Sequence, residues 1–148
     1  MTTDTPSEFT LDIIKENNQH LIIGPKGSGG TTLCKKIAEA NRNKVGYVDR
    51  YLVISPGEIN NNDQYGYLYY ECKDVTIINE FSGDELDELI EKIKTSCLDN
   101  EGYISSNSCI IIDRITKKDA VQLQKKDSFR VFVINGRRLN TCLICNVA

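Results

Sequence analysis

The run Leu21-Ile22-Ile23-Gly24-Pro25-Lys26-Gly27-Ser28-Gly29-Gly30-Thr31-Thr32 leads an apolar segment into a glycine-rich turn and then into a pair of threonines. Backbone amides in such a turn, together with the start of the helix that follows, favour anions and above all phosphate. The spacing is that of G-x-x-x-x-G-K-[ST]. Gly24 and Gly29 stand at the outer glycine positions, and Thr31, followed by Thr32, stands where a hydroxyl binds magnesium. The position between them, from which a lysine reaches the β- and γ-phosphates, is Gly30. Gly24, Lys26, Gly27, Ser28, Gly29, Gly30, Thr31 and Thr32 are therefore the candidate nucleotide-binding residues. The second part such a site requires is an acid at the end of a neighbouring strand. Asp113, directly after Cys109-Ile110-Ile111-Ile112, fills that place, so Thr31 and Asp113 are the candidate metal residues. Singly these features also fit a glycine turn and a helix-capping aspartate; in this order they point to a nucleotide fold.

Hydrolysis requires a cation on the γ-phosphate and a carboxylate that orients the attacking water. Gly30 removes the first, and Arg114 stands where a second acid is expected. A charge-assisted hydrogen bond is worth about 1.5–3 kcal/mol, so the missing lysine lowers nucleotide affinity by roughly ten- to a hundredfold. Lys26, inside the loop, is a candidate substitute.

The elements that must hold these residues read as alternating strands and helices. His20–Ile23 is a strand and Thr31–Ala40 a helix. Lys44–Ser55 alternates as a second strand, ended by Pro56-Gly57. Thr10–Asn17 reads as a short amphipathic helix with Leu11 and Ile14 on one face. The Asn- and Tyr-rich stretch Ile59–Tyr70 has no helical period and reads as a surface excursion, whose tyrosines could stack on bases. Val75–Ile78 is a strand. Ser82 and Glu85 form a capping box ahead of Leu86, Leu89, Ile90, Ile93 and Cys97 at helical spacing. Lys117–Ile134 is either one helix or ends in a strand at Phe129–Ile134, and Leu143–Val147 is a closing strand. The alternation implies an α/β fold, a three-layer sandwich around a mostly parallel sheet, in a single domain over 1–148 with residues 1–7 flexible.

Composition agrees with an ordinary globular chain: 148 residues, 40% hydrophobic and 26% charged. No stretch approaches the roughly 18 apolar residues of a membrane span, and the polar start has no signal-peptide pattern. The six cysteines, Cys34, Cys72, Cys97, Cys109, Cys142 and Cys145, read as reduced and buried. Cys142-x-x-Cys145 suggests redox or metal chemistry, but it lies within an apolar run and lacks a second pair. Of the net charge of −3, residues 114–148 carry +6, leaving −9 for residues 1–113. A basic C-terminal third could meet nucleic acid or simply form solvated helix faces.

One segment is more specific than the glycine loop. Asn135-Gly136-Arg137-Arg138-Leu139-Asn140-Thr141-Cys142-Leu143-Ile144 resembles the Gly-Arg-His-Leu-Asn-Thr-Ser stretch, leading into an apolar strand, of the poxvirus-type virion DNA-packaging ATPases. These belong to the FtsK/HerA group of translocases. The loop, the Ile110–Asp113 strand and the Asn- and Tyr-rich stretch after Ser55-Pro56 fall in the same order, so the resemblance spans Phe9 to Val147. It implies a parallel-sheet P-loop NTPase core and ATP hydrolysis with Mg2+, coupled to moving genomic DNA into immature virions. It also implies a helix before Gly136. Gly24, Gly27, Ser28, Gly29 and Thr31 match the phosphate loop, Asp113 the metal-side acid, and Arg137 the motif arginine, a candidate catalytic residue. Implied partners are double-stranded viral DNA, virion assembly proteins and further copies of the chain, at the assembly site in the host cytoplasm or in the virion. Gly30, Arg114 and Arg138 depart from the family's lysine, second acid and histidine. Ala148 falls where a strand-end glutamine is expected and where the family continues. The resemblance therefore implies a degenerate, C-terminally short relative. Three readings stay open: an active packaging ATPase, a non-catalytic relative working through protein or DNA contacts, and a small P-loop kinase, which the Gly136-Arg137 segment fits poorly.

Overall fold

Five strands, all parallel, run in the order β1-β5-β4-β2-β3. The computed structural model describes residues 15–24, 27, 29–56, 62–79, 84–99 and 104–147. The strands are β1 (Gln19–Ile23), β2 (Arg50–Ile54), β3 (Asp74–Ile78), β4 (Ser108–Ile115) and β5 (Thr141–Val147). The helices are α1 (Gly30–Val45), α2 (Asn62–Tyr65), α3 (Leu68–Glu71), α4 (Asp84–Asp99), α5 (Lys117–Gln124) and α6 (Asp127–Asn135). The expected α/β sandwich is thus observed, with every described strand pair parallel.

Strand alternation divides the apolar residues between two cores. On one face Cys109, Ile111, Cys142 and Ile144 meet Cys34, Ile37 and Ala38 of α1 and Tyr65 and Leu68 of the short helices. On the other, Ile110, Ile112, Leu143, Cys145 and Val147 meet Leu86, Leu89 and Ile93 of α4, Leu123 of α5 and Phe132 of α6. Every residue of β5 is buried, as a central parallel strand between two helical layers requires. The alternation also separates Cys142 from Cys145 onto opposite faces of the sheet. They form no redox or metal pair. β1 is the outer strand on its side of the described sheet, and its Leu21 and Ile23 are 65% and 72% exposed.

Several boundaries differ from the sequence expectation. Lys44 and Val45 belong to α1, not to a strand: the helix continues until Gly46, whose φ of 87° ends it, and β2 begins only at Arg50. The described part of the Asn- and Tyr-rich stretch holds two single-turn helices rather than an irregular excursion, because Tyr65 and Leu68 are drawn into the core. The segment before Gly136 is helical, but as two helices. Lys126 is extended, and Arg130 donates from Nε to the Gln124 carbonyl at 3.0 Å and from Nη2 to the Lys125 carbonyl at 3.2 Å. Carbonyls left open at the end of α5 are satisfied there, so the break is stable. The Thr10–Ile14 part of the expected N-terminal helix, and Ser82 of the capping box, lie outside the described residues. Among the described residues no helix is long and apolar enough to cross a membrane.

Gly136 is fixed by packing. A Cβ on it would run into the Gln19 side-chain amide and the Phe132 carbonyl. Gln19 Nε2 in turn donates to the carbonyls of Asn17 and Thr141, both at 3.2 Å, which holds β1 to the start of β5. Gly136→Ala is expected to cost about 1–3 kcal/mol by overpacking, read as a lower urea midpoint with an unchanged slope. An unchanged midpoint would contradict this packing.

Candidate functional site

The glycine loop lies at the C-terminal ends of β1, β5 and β4. Gly24 leaves β1 with its amide on the Val147 carbonyl at 3.2 Å. Gly27 and Gly29 have φ of 85° and 94°, a left-handed backbone that side chains other than glycine adopt at a cost. Gly29 caps α1, whose first turn carries no acidic residue. The first amides of such a helix have no partner inside it and, with the helix dipole, are suited to an anion. Lys26 and Ser28 lie outside the described residues. Thr32 is exposed on α1 and faces a different cleft, shared with Lys35, Lys36 and Arg42 of α1 and with Tyr67 and Glu71.

Asp113 sits beside this loop, 1% exposed, on the α1 face of β4. Its Oδ1 accepts from Asn146 Nδ2 at 2.8 Å and, more weakly, from the Cys34 thiol at 3.9 Å. Its Oδ2 accepts from the Tyr65 hydroxyl at 2.6 Å. Burial, then the Asp113 charge, push the Tyr65 phenol far above its ordinary range, so it remains a donor. The same two causes push the Cys34 thiol well up and Cys145 up to about 11, so neither is a ready nucleophile.

Two neighbours of Asp113 reshape the loop. Asn146, 6% exposed near the end of β5, occupies the space above Gly30. A Cβ on Gly30 would stand 2.5 Å from its Nδ2, 2.8 Å from its Oδ1 and 2.9 Å from its Cγ. Any side chain at position 30 therefore requires the Asn146 side chain to move. Arg114 has φ of 60° and lies in a register shift of β4 between Ile112 and Ile115. Such a bulge adds a residue and re-aims a side chain. Here it brings Arg114 Nε to Thr31 Oγ1 at 3.0 Å.

Magnesium is the cation this arrangement implies, and the residues present do not fit it. Mg2+ takes oxygen donors at about 2.0–2.1 Å in near-octahedral geometry. The Thr31 hydroxyl accepts from a guanidinium, and both Asp113 oxygens are committed to protein donors. Among the described residues no group of three or more His, Cys, Asp or Glu side chains could hold a metal.

Arg137 is not brought to this site. It is exposed in the turn before β5, beside Asn17, Asn107 and Asn140, at the opposite end of the sheet. With a strand rise of about 3.3 Å per residue, β5 separates it from the loop by roughly 20 Å. Nor do the basic residues of the C-terminal third form one stripe: Arg114 faces the loop, Arg130 caps α5, and Arg137 and Arg138 sit at the far end. Sequence reading missed Asn146, Tyr65 and Cys34. The one signal for Asn146 is a polar residue inside the apolar run Cys142–Val147.

The cytoplasmic domain of the type VII secretion ATPase EccC of Thermomonospora curvata superposes with a TM-score of 0.52 at 16% identity, over 87% of this chain and 18% of that one. EssC (ATPases 2 and 3) of Geobacillus thermodenitrificans superposes with a TM-score of 0.55 at 14% identity, over 90% of this chain and 28% of that one. What is shared with both is the fold, a parallel α/β sheet flanked by helices. At this identity the likeness concerns the fold alone, and the chain spans less than a third of either protein. No protein-family model and no curated protein sequence matches the chain.

Two outcomes follow from this geometry. Gly30→Lys is expected to destabilise by about 1–3 kcal/mol, as overpacking does, with part of the loss recovered when Asn146→Ala is added; urea denaturation of the single and double variants measures both. A single variant as stable as the native chain would show that Asn146 does not fill the lysine path. Tyr65→Phe leaves a buried carboxylate oxygen short of a donor and is expected to cost about 1–3 kcal/mol. Unchanged thermal and urea stability would remove Tyr65 from the Asp113 cluster.

Proposed function

We propose that the chain is a non-hydrolysing relative of the virion DNA-packaging ATPases: an ATP-binding module that acts through its contacts rather than through turnover. The observation that carries this reading is the pairing of Gly30 with Asn146, which removes the lysine and fills its place with a side chain tied to Asp113. A loop that had merely lost its lysine would leave that space open. Turnover lacks a second component as well. The residue after Asp113 is a cation, and Asp113 itself is engaged by three donors, so no described carboxylate at the loop is available to orient water. Binding has support of a different kind, from the left-handed glycines and an α1 start without acids.

The packaging assignment rests on the resemblance of Asn135–Ile144 and on the order of the segments before it. On this reading the partners are double-stranded viral DNA, virion assembly proteins and other copies of the chain, at the assembly site in the host cytoplasm or in the virion.

The test pairs a fluorescent ATP analogue with a phosphate-release assay on the full chain. Saturable binding, with phosphate release at the buffer background, is expected. Magnesium-dependent release that disappears in Asp113→Ala would sink the non-hydrolysing reading.

A further inference from the structure

We propose that Cys109 and Cys142 are an oxidation site, a buried dithiol that a small hydroperoxide converts to a disulfide across the middle of the sheet. The site is separate from the glycine loop and independent of nucleotide binding. Both residues lie near the start of their strands, and Cys142 is about 13 Å along β5 from Asn146.

Three observations place it. Cys109 and Cys142 are direct partners in the parallel register of β4 and β5, and both belong to the core beneath α1. Neighbouring strands lie about 4.7–4.9 Å apart, inside the range of about 4.4–6.8 Å between the Cα atoms of a disulfide. Joining them takes a pinch of about 1 Å at Cβ and no change of register. Next, the two thiols are unequal. A hydrogen bond from Cys109, and then the neighbouring His20, draw the Cys142 thiol below its ordinary value against the effect of burial. The same contact and burial push Cys109 up. Cys142 is thus the nucleophile, and Cys109 keeps its proton for the second step. Last, His20 supplies a proton acceptor. It pairs with Ile144, which sets it on the Cys142 face of the sheet, one strand out and within reach of a long side chain. Its Nε2 is buried and, among the described residues, has no hydrogen-bond partner. Other cysteines are placed differently: Cys34 bonds to Asp113, Cys72 donates to the Asp49 carbonyl at 2.9 Å, and Cys145 lies on the opposite face.

Both thiols are 0% exposed, which excludes a bulky oxidant. His20, partly exposed on the outer strand of the described sheet, marks the way in. His20 takes the Cys142 proton, and the thiolate sulfur attacks the terminal oxygen of the hydroperoxide. The O–O bond breaks, the proton passes from His20 to the leaving oxygen, and water or an alcohol departs from a Cys142 sulfenic acid. The Cys109 sulfur then displaces the hydroxyl, which leaves with the Cys109 proton as water while the S–S bond forms. Two electrons pass from the pair to the peroxide. The pinch at Cβ makes the product readily reducible, as strained disulfides are.

The experiment exposes the native, folded full chain to one equivalent of hydrogen peroxide, blocks the remaining thiols by alkylation and maps the peptides without reduction. A Cys109–Cys142 linked peptide is expected as the first disulfide, and dithiothreitol is expected to remove it. Cys109→Ser should stop at a Cys142 sulfenic acid that dimedone traps, and Cys142→Ser should abolish both products. His20→Gln should slow the disulfide by roughly 100-fold, at the lower end of what a general base contributes, with the urea midpoint of the reduced chain near native. A first disulfide between other cysteines, a pair that stays reduced while peroxide is consumed, or a linked peptide that forms only in urea overturns the proposal. A native rate in His20→Gln removes the histidine from it.

Discussion

The buried carboxylate of Asp113 is the constraint around which the loop end of the sheet is built. A carboxylate taken out of water must be matched by donors or its burial is prohibitively costly. Here the donors come from three separate parts of the chain: Asn146 on β5, Tyr65 on α2 and Cys34 on α1. Satisfying one charge therefore fixes the relative positions of two central strands, the loop helix and the short helices that follow β2. It also explains why an Asn- and Tyr-rich stretch without helical period sends a tyrosine into the core.

That constraint also shapes the loop. Once Asn146 is held against Asp113, the space over Gly30 is closed, and glycine is the residue that fits beneath it. Once both Asp113 oxygens are occupied, the acid is no longer free to organise a metal ion. Arg114 reaches Thr31 because β4 gains a residue at its C-terminal end.

The far end of the sheet obeys a different logic. Gly136 is required by the close approach of Gln19 and the Phe132 carbonyl, and Arg137 beside it is exposed and remote from the loop. The segment that most resembles the packaging ATPases therefore contributes packing within this chain. The exposed Leu21 and Ile23 of β1 line an open apolar groove between β1, α5 and α6.

The sequence by itself determined the layer architecture, because apolar periods of two and of about 3.6 each mark the face to be buried, and it located the glycine turn before α1 and the Asp113 strand. It placed the end of α1 wrongly because Gly46 sits within an alternating pattern, and it left Lys117–Ile134 open between one helix and a helix ending in a strand because the break depends on Arg130 reaching back to two carbonyls. Asn146 and Tyr65 were invisible as site residues, and Arg114 was read only as a missing acid, since each acts on a partner far away in the chain: 33 residues from Asn146 to Asp113, 48 from Tyr65 to Asp113 and 83 from Arg114 to Thr31. Short-range pattern fixes which face of a strand or helix is buried. Which polar groups meet on that face is decided only when the sheet order brings β4 beside β5.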